Sequence, residues 1–429
     1  MSQEHHHIES LCEAISRNTH KVTNYWRTKR LPFPSFDTNG PVDSGISLEE
    51  TEIQQARVNV IQDTRTLHAL MLGPRDFLQS TMPDEPLSLQ AITRFDIAKA
   101  FPIDEEATFA QIAKTCGLDE SVLKRLLRHA MTKRVFREPH KGVVAHTAAS
   151  KLLATDQQIH DWVRVSTDEL WQGTAQTVNA IARFPMSQEP NQTGFSLANG
   201  TDKSVFEYFD QYPERAQRFG NAMISYTSGT GFELSHLVHG FDWRSLGKGH
   251  VVDIGGSNGF VSLHLASLFP DLRFTVQELK QVVANVEVDK ISQELQKRVK
   301  FMPHNFLTEQ PVKDADVYFF RWVFHDWSDL YCHRILRNLV PALKPGALIL
   351  INDNVLPEPG TLGAWQEQQI RSMDLAMLEM QNARERELDD WAALFREADS
   401  RFEFLDGEQP AGSRLYILKA RWGGSHALP

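Results

Sequence analysis

The sequence predicts an α/β fold: a doubly wound sheet of parallel strands preceded by a mainly helical region. Three observations predict it. From residue 249 onward, short apolar runs alternate with helical stretches, the rhythm of a parallel sheet covered on both faces. The first of these runs, His250 to Ile254, passes into a glycine turn that opens a helix. Before residue 245 the signals are instead helix caps and apolar faces recurring every three to four residues.

The 429 residues exceed one ordinary domain, and at ~150 residues per domain they suggest two or three. A hydrophobic content of 41% excludes wholesale disorder. The net charge of −10 argues against non-specific binding to nucleic acid or to an anionic membrane. Three scattered cysteines (Cys12, Cys116, Cys332) make neither a disulfide framework nor a zinc site. They suit a reducing, cytoplasmic compartment, and no metal centre is expected. No signal peptide is visible, and no apolar run reaches the ~18 residues of a membrane span. His5 to His7 read as part of a solvated N-terminus.

Residues 1–50 read as a flexible or wrapping segment, rich in Pro, Gly and acids from residue 29. Residues 51–156 read as a helical domain. Leu67, Leu70, Met71 and Leu72 mark an apolar helix face. Thr108 to Gln111 has the form of a capping box, a helix breaks at Gly117, and Asp119 caps a second helix. That helix carries Val122, Leu123, Leu126, Leu127, Ala130 and Met131, and Val143 to Ala145 follows as a β-like run. Helix, turn, helix and hairpin make a winged helix. Its bases Lys124, Arg125, Arg128, Lys133 and Arg134 suit DNA, but an acidic chain favours a solvated face on a dimerisation domain.

Residues 157–245 read as a helical connector with one long loop, Pro185 to Asp202, and aromatics (Trp162, Trp171, Phe184, Phe195, Phe206, Tyr208, Phe209) fit to line a pocket. Residues 246–429 hold the sheet. Its strands are expected at His250–Ile254, Leu272–Gln277, Val299–Met302, Asp316–Arg321 and Ala347–Asn352.

The chemistry gathers at the carboxyl ends of those strands, where open α/β sheets bind ligands. Asp253 closes the first strand, and Gly255, Gly256 and Gly259 form the turn. Glycines let a ligand approach the backbone because no Cβ intervenes. Glu278 ends the next strand, where a carboxylate can accept both ribose hydroxyls of a nucleoside. The spacing differs from G-x-G-x-x-G, and no phosphate-loop Lys follows, so a nucleoside without a cradled phosphate fits, such as S-adenosylmethionine. Asn305, His325 and Asp353 fall at or just past successive strand ends.

Three segments resemble class I S-adenosylmethionine-dependent O-methyltransferases of the plant caffeic-acid and fungal polyketide type: FFRWVFHDWSD (Phe319 to Asp329), ILRNLVPALKPGALILINDNVLPEPG (Ile335 to Gly360) and NARERELDDWAALF (Asn382 to Phe395). The resemblance spans roughly residues 85–421. It implies a Rossmann-like methyltransferase domain preceded by a mainly helical, winged-helix-like dimerisation domain, a homodimer, and a small-molecule acceptor. It places His325 on the general base, with Asp353 and Glu385 as the acids that orient it. Gly255, Glu278, Asn305, Phe306 and the Met223–Ser225 stretch fall on cofactor positions. Asp253, Gly256, Gly259, Leu279 and Arg321 join them. Asn305 stands where many relatives have Asp. The resemblance implies an O-methyltransferase for an aromatic or polyketide-like hydroxyl. The alternative is a cyclase or pericyclase of a fungal natural-product pathway that keeps the cofactor for its sulfonium charge without transferring the methyl. A third reading, a DNA-binding regulator with the cofactor as effector, predicts salt-dependent duplex binding.

Overall fold

The computed structural model describes residues 2–82 and 84–423, with the side chains of residues 2–6, including His5 and His6, outside that description. The chain forms two compact units that interleave along the sequence. The first comprises Met1–Gln172, Phe209–Thr227 and Leu362–Gln369; the second comprises Gly173–Tyr208, Ser228–Thr361 and Ile370–Pro429.

In the first unit, the helices Ser2–Lys29 and Thr51–Gln79 pack together around Val22, Ile46 and Ala56, with Tyr25, Trp26 and Ile53 at the margin. The second helix kinks at Gly73, which adopts a left-handed φ of 68° directly before Pro74. Leu70 and Met71, expected on its apolar face, are exposed. The capping box forms as expected: Thr108 accepts from the Gln111 N–H, and the Gln111 side chain accepts from the Thr108 N–H. Asp119 accepts from the N–H groups of Ser121 and Val122 and starts the helix Glu120–Thr132. Leu123, Leu127 and Ala130 are buried from that helix, while Val122 turns outward. Strands β1 (Glu106–Thr108), β2 (Arg137–His140) and β3 (Val143–Ala145) form an antiparallel sheet in the order β1-β3-β2. The bases of this region are largely occupied. Arg128 pairs with Glu138 at 2.7 Å, Lys133 with Glu85 at 2.9 Å, and Arg134 lies over the Phe36 ring.

The second unit is built on seven strands: β4 (His250–Ile254), β5 (Arg273–Glu278), β6 (Val299–Pro303), β7 (Val317–Arg321), β8 (Leu348–Asp353), β9 (Phe402–Glu408) and β10 (Tyr416–Trp422). Their order is β6-β5-β4-β7-β8-β10-β9. The first five are parallel; β10 runs antiparallel to both β8 and β9, so the sheet is mixed. The central strands are near-continuous apolar runs because both faces are covered. One face carries Cys332, Ile335 and Leu336 of the helix Asp329–Leu339 together with Trp391, Leu394 and Phe395 of the helix Leu388–Ala398. The other carries Val261 and Leu265 of the helix Phe260–Leu268 with Trp243. Strand order reverses at β4, which lies between β5 and β7, and this is the switch point where a crevice opens beyond the strand ends. The expected loop 185–202 contains a short helix, Gly194–Asn199, capped by Thr193 and ended by Gly200 at a φ of 59°. Among the described residues, no helix is long and apolar enough to cross a membrane.

Candidate active site

The glycine turn follows β4. The N–H groups of Gly255 and Gly256 both donate to the Gln277 carbonyl of β5, which pins the turn to the neighbouring strand. A Cβ on Gly256 would lie 2.7 Å from the Asp253 carboxylate and 2.8 Å from Val276, so only glycine fits. Gly255 has a φ of +74°, a left-handed backbone that suits glycine. Gly259, at a φ of 77°, precedes the helix Phe260–Leu268, and a Cβ there would strike the Phe301 ring. Asp253 is buried and accepts from the Ser262 hydroxyl at 2.6 Å; burial, with Glu278 adding to it, pushes its carboxyl up to about 6.

At the next strand end, Glu278 accepts from the Leu279 N–H at 2.8 Å, and burial raises its carboxyl above the usual range. Asn305 uses its side-chain oxygen on the Leu307 N–H at 2.9 Å. Phe306 sets its ring edge-on to Trp327, with centroids 5.7 Å apart. Arg321, at the end of β7, donates to the Phe232 carbonyl at 2.9 Å and to the Asn352 side chain. Ser225 lies on the helix Pro213–Thr227, which belongs to the first unit.

His325, Asp353 and Glu385 come together, all buried. His325 sits in a single 3-10 turn, Phe324–Asp326, just past β7. Its ring Nδ1 lies 3.1 Å from Glu385 Oε1. Asp353, at the end of β8, accepts from the His325 main-chain N–H at 3.3 Å, so it holds the backbone and Glu385 holds the ring. Asn354 donates a side-chain N–H to the same Glu385 oxygen at 3.0 Å, and the Glu385 N–H donates to Asp374 at 2.8 Å. The ligand atoms of His325, Asp353 and Glu385 lie within 4.8 Å of one another, a spacing that can also bridge a metal ion.

Two further residues belong here. Asp326 lies just before the helix Asp329–Leu339, whose N-cap position is Ser328. It places a carboxylate oxygen 3.7 Å from His325 Nε2 and accepts from the Gln381 amide. Trp322 has a left-handed φ of 56°, a strained backbone for a bulky residue. Its ring packs against His325 at 4.9 Å and Phe232 at 5.5 Å. Both lie in the Phe319 to Asp329 segment, of which only Arg321 and His325 are read from sequence as site residues.

Burial works against a charge on His325. The carboxylates of Asp353, Asp326 and Glu385 outweigh it and push the imidazole up to about 10. The Glu385 carboxyl is held below its usual range: burial opposes its ionisation, but the His325 charge and the bonds from His325 and Asn354 prevail.

An O-methyltransferase domain model matches residues 183–401, the stretch that contains every site residue described above. The chain is 44% identical to the grayanic acid biosynthesis cluster O-methyltransferase of Cladonia grayi, over 97% of this chain and 88% of that one.

The chain belongs to the O-methyltransferase family.

The methyltransferase is also 35% identical to the chlorophenol O-methyltransferase of Trichoderma longibrachiatum, over 96% of this chain and 89% of that one. Its fold matches the crystal structure of OxaC in complex with sinefungin and meleagrin, with a TM-score of 0.74 at 23% identity, covering 95% of this chain and 99% of that one. The family uses S-adenosylmethionine, and the residues present suit it. Gly255 and Gly256 leave the turn's backbone bare of side chains, and the partly desolvated Glu278 carboxylate stands at the adjacent strand end.

Proposed function

We propose that the methyltransferase acts on a phenolic hydroxyl of an aromatic or polyketide-like secondary metabolite, with His325 as general base. The observation that carries this is the buried Nδ1 contact to Glu385. With Nδ1–H donating to the carboxylate, the neutral ring keeps Nε2 as its acceptor. S-adenosylmethionine supplies an electrophilic methyl on a sulfonium, so the electrophile needs no activation by the protein. The chain's task is to hold the acceptor oxygen in line and remove its proton. His325 takes that proton at Nε2, and Glu385, Asp353 and Asp326 stabilise the resulting imidazolium. Glu278 and the Gly255–Gly259 turn hold the nucleoside, and Asn305, Phe306, Leu279 and Arg321 complete its surroundings.

The raised imidazole supports a phenol as acceptor. A phenol ionises near pH ~10, and an imidazole raised by its surrounding carboxylates takes a phenolic proton more readily than a free one. The chlorophenol O-methyltransferase is a relative whose name states a phenol.

A homodimer is part of the reading. Leu70, Met71, Phe77 and Leu78 are exposed along one helix, and Leu78 is 72% exposed, which suits a second copy as cover. The hairpin-bearing helical region, read as a winged helix, would serve that association. Cys12, Cys116 and Cys332 are all free thiols, which suits a reducing cytoplasm.

The test is incubation with S-adenosylmethionine and a panel of phenols, with products weighed. A gain of one methyl with stoichiometric S-adenosylhomocysteine is expected. An isomerised or dehydrated product with the cofactor unconsumed would replace methyl transfer by cyclase or pericyclase chemistry. His325→Ala is expected to cut turnover by ~10²-fold or more with cofactor affinity kept. Turnover at the wild-type rate would remove the base assignment.

A further inference from the structure

Arg386 is the only Arg or Lys buried among the described residues. It follows Glu385 directly, and its guanidinium reaches the main chain on both sides of the histidine turn. Nη1 donates to the Phe324 carbonyl at 3.0 Å, and Nη2 donates to the Trp327 carbonyl at 2.9 Å. Nε and Nη2 also donate to Asp329 Oδ1 at 2.9 and 2.8 Å. Nη1 also donates to the Arg384 carbonyl at 3.3 Å, and the Trp391 ring and the Cys332 sulfur lie against the guanidinium.

Stability alone does not call for a charge here. Burying a guanidinium is costly, and apolar replacements of buried ion pairs are often as stable. Asp329 has a second cation, since Arg384 pairs with it at 2.9 Å. What only an arginine can do is present a rigid planar fork to two carbonyls and a carboxylate at once. Those two carbonyls bracket His325 and Asp326.

We propose that Arg386 is a positioning residue for the methyl-transfer base: it locks the Phe324–Trp327 backbone so that the His325 ring meets Glu385 and faces the acceptor. This rests on the reading of His325 as general base. Glu385 and Arg386 then act as one unit, the first fixing the ring and the second fixing the chain that carries it.

The experiment is a double-mutant cycle of Arg386→Lys with His325→Ala. Cofactor affinity and the thermal midpoint are measured beside turnover, and the His325 ring titration is followed by its imidazole NMR resonance. Arg386→Lys keeps the charge and loses the fork. It is expected to bind S-adenosylmethionine within about threefold of wild type and to lose on the order of 10²-fold in kcat, the scale of a small misplacement of a catalytic group. The ring titration is expected to move, because its distances to Asp326, Asp353 and Glu385 change. In the His325→Ala background the same change is expected to alter the residual rate by less than about threefold. Asp329→Asn loosens the fork from its partly exposed side and serves if Arg386→Lys does not fold. It is expected to lower kcat and move the ring titration in the same direction, by less. An equal loss in both backgrounds, or a lowered thermal midpoint with kcat and ring titration unchanged, overturns the positioning role. Wild-type turnover by His325→Ala alone overturns the base assignment, a separate result.

Discussion

At the scale of single residues, the site is a contest between burial and three carboxylates, decided in favour of the imidazolium. His325 therefore holds a proton more tightly than a free imidazole, and the share of the neutral base form grows as pH rises toward about 10. The rate constant kcat/KM with a neutral phenol is expected to rise with pH through that range. Asp353→Asn removes one of the charges that hold the proton, so the rising limb is expected to move to lower pH by about one unit. A pH–rate profile checks this, and an unmoved limb would mean that Asp353 does not act on the ring. Stability follows the same sign. The ring's contribution is full below its ordinary value near ~6.5 and is lost as pH rises through about 10. His325, Asp353 and Glu385 were legible because two of them sit at strand ends and the third in a specific motif. The division of labour was not: only the fold shows Glu385 on the ring and Asp353 on the main chain. Asp326 and Arg386 act through contacts that adjacency in sequence does not encode.

The elements show why some of the fold was readable and some was not. Strands β4 to β8 are covered on both faces, so each is a short apolar run with little ambiguity. Strand β9 lies at the sheet edge and alternates Glu403, Asp406 and Glu408 with apolar positions. Such charges protect an edge and disguise a strand. The helix Ser2–Lys29 buries only Leu11 and Val22 among its described side chains, too few to set a period. Leu70 and Met71 show the opposite failure, an apolar spacing that the fold leaves exposed. The glycine turn, by contrast, is dictated locally. Gly256→Ala must push the Asp253 carboxylate or Val276, and overpacking of this kind costs about 1–3 kcal/mol. We expect a lower denaturation midpoint and weakened S-adenosylmethionine binding by calorimetry. Gly346→Ala is the control: its Cβ meets open space, so only its left-handed backbone is strained. It is expected to leave cofactor affinity intact. Equal cofactor loss in both variants would mean that the turn's close packing is not what the ligand reads.

For the whole molecule, the units interleave: Phe209–Thr227 and Leu362–Gln369 belong with the first unit although the second surrounds them in sequence. No composition shift marks those returns, because membership is decided by packing and not by the local run of residues. The residues proposed to hold the cofactor, other than Ser225, lie in the second unit, so ligand binding is expected to stabilise the chain by mass action through that unit. At a hundredfold excess over Kd the gain is about 2.7 kcal/mol. Glu278 is the residue through which to test this. Burial already raises its carboxyl, so an uncharged Gln costs the unliganded fold little, and its amide oxygen can still accept from the Leu279 N–H. What Gln cannot supply is a carboxylate accepting from two ribose hydroxyls. Glu278→Gln is therefore expected to unfold at the wild-type temperature without ligand and to lose most of the upward shift that S-adenosylmethionine gives. Differential scanning calorimetry at matched ligand concentrations reads both quantities. A full shift in the variant would show that the strand-end acid does not hold the nucleoside. A lowered unliganded midpoint would show that its charge serves the fold.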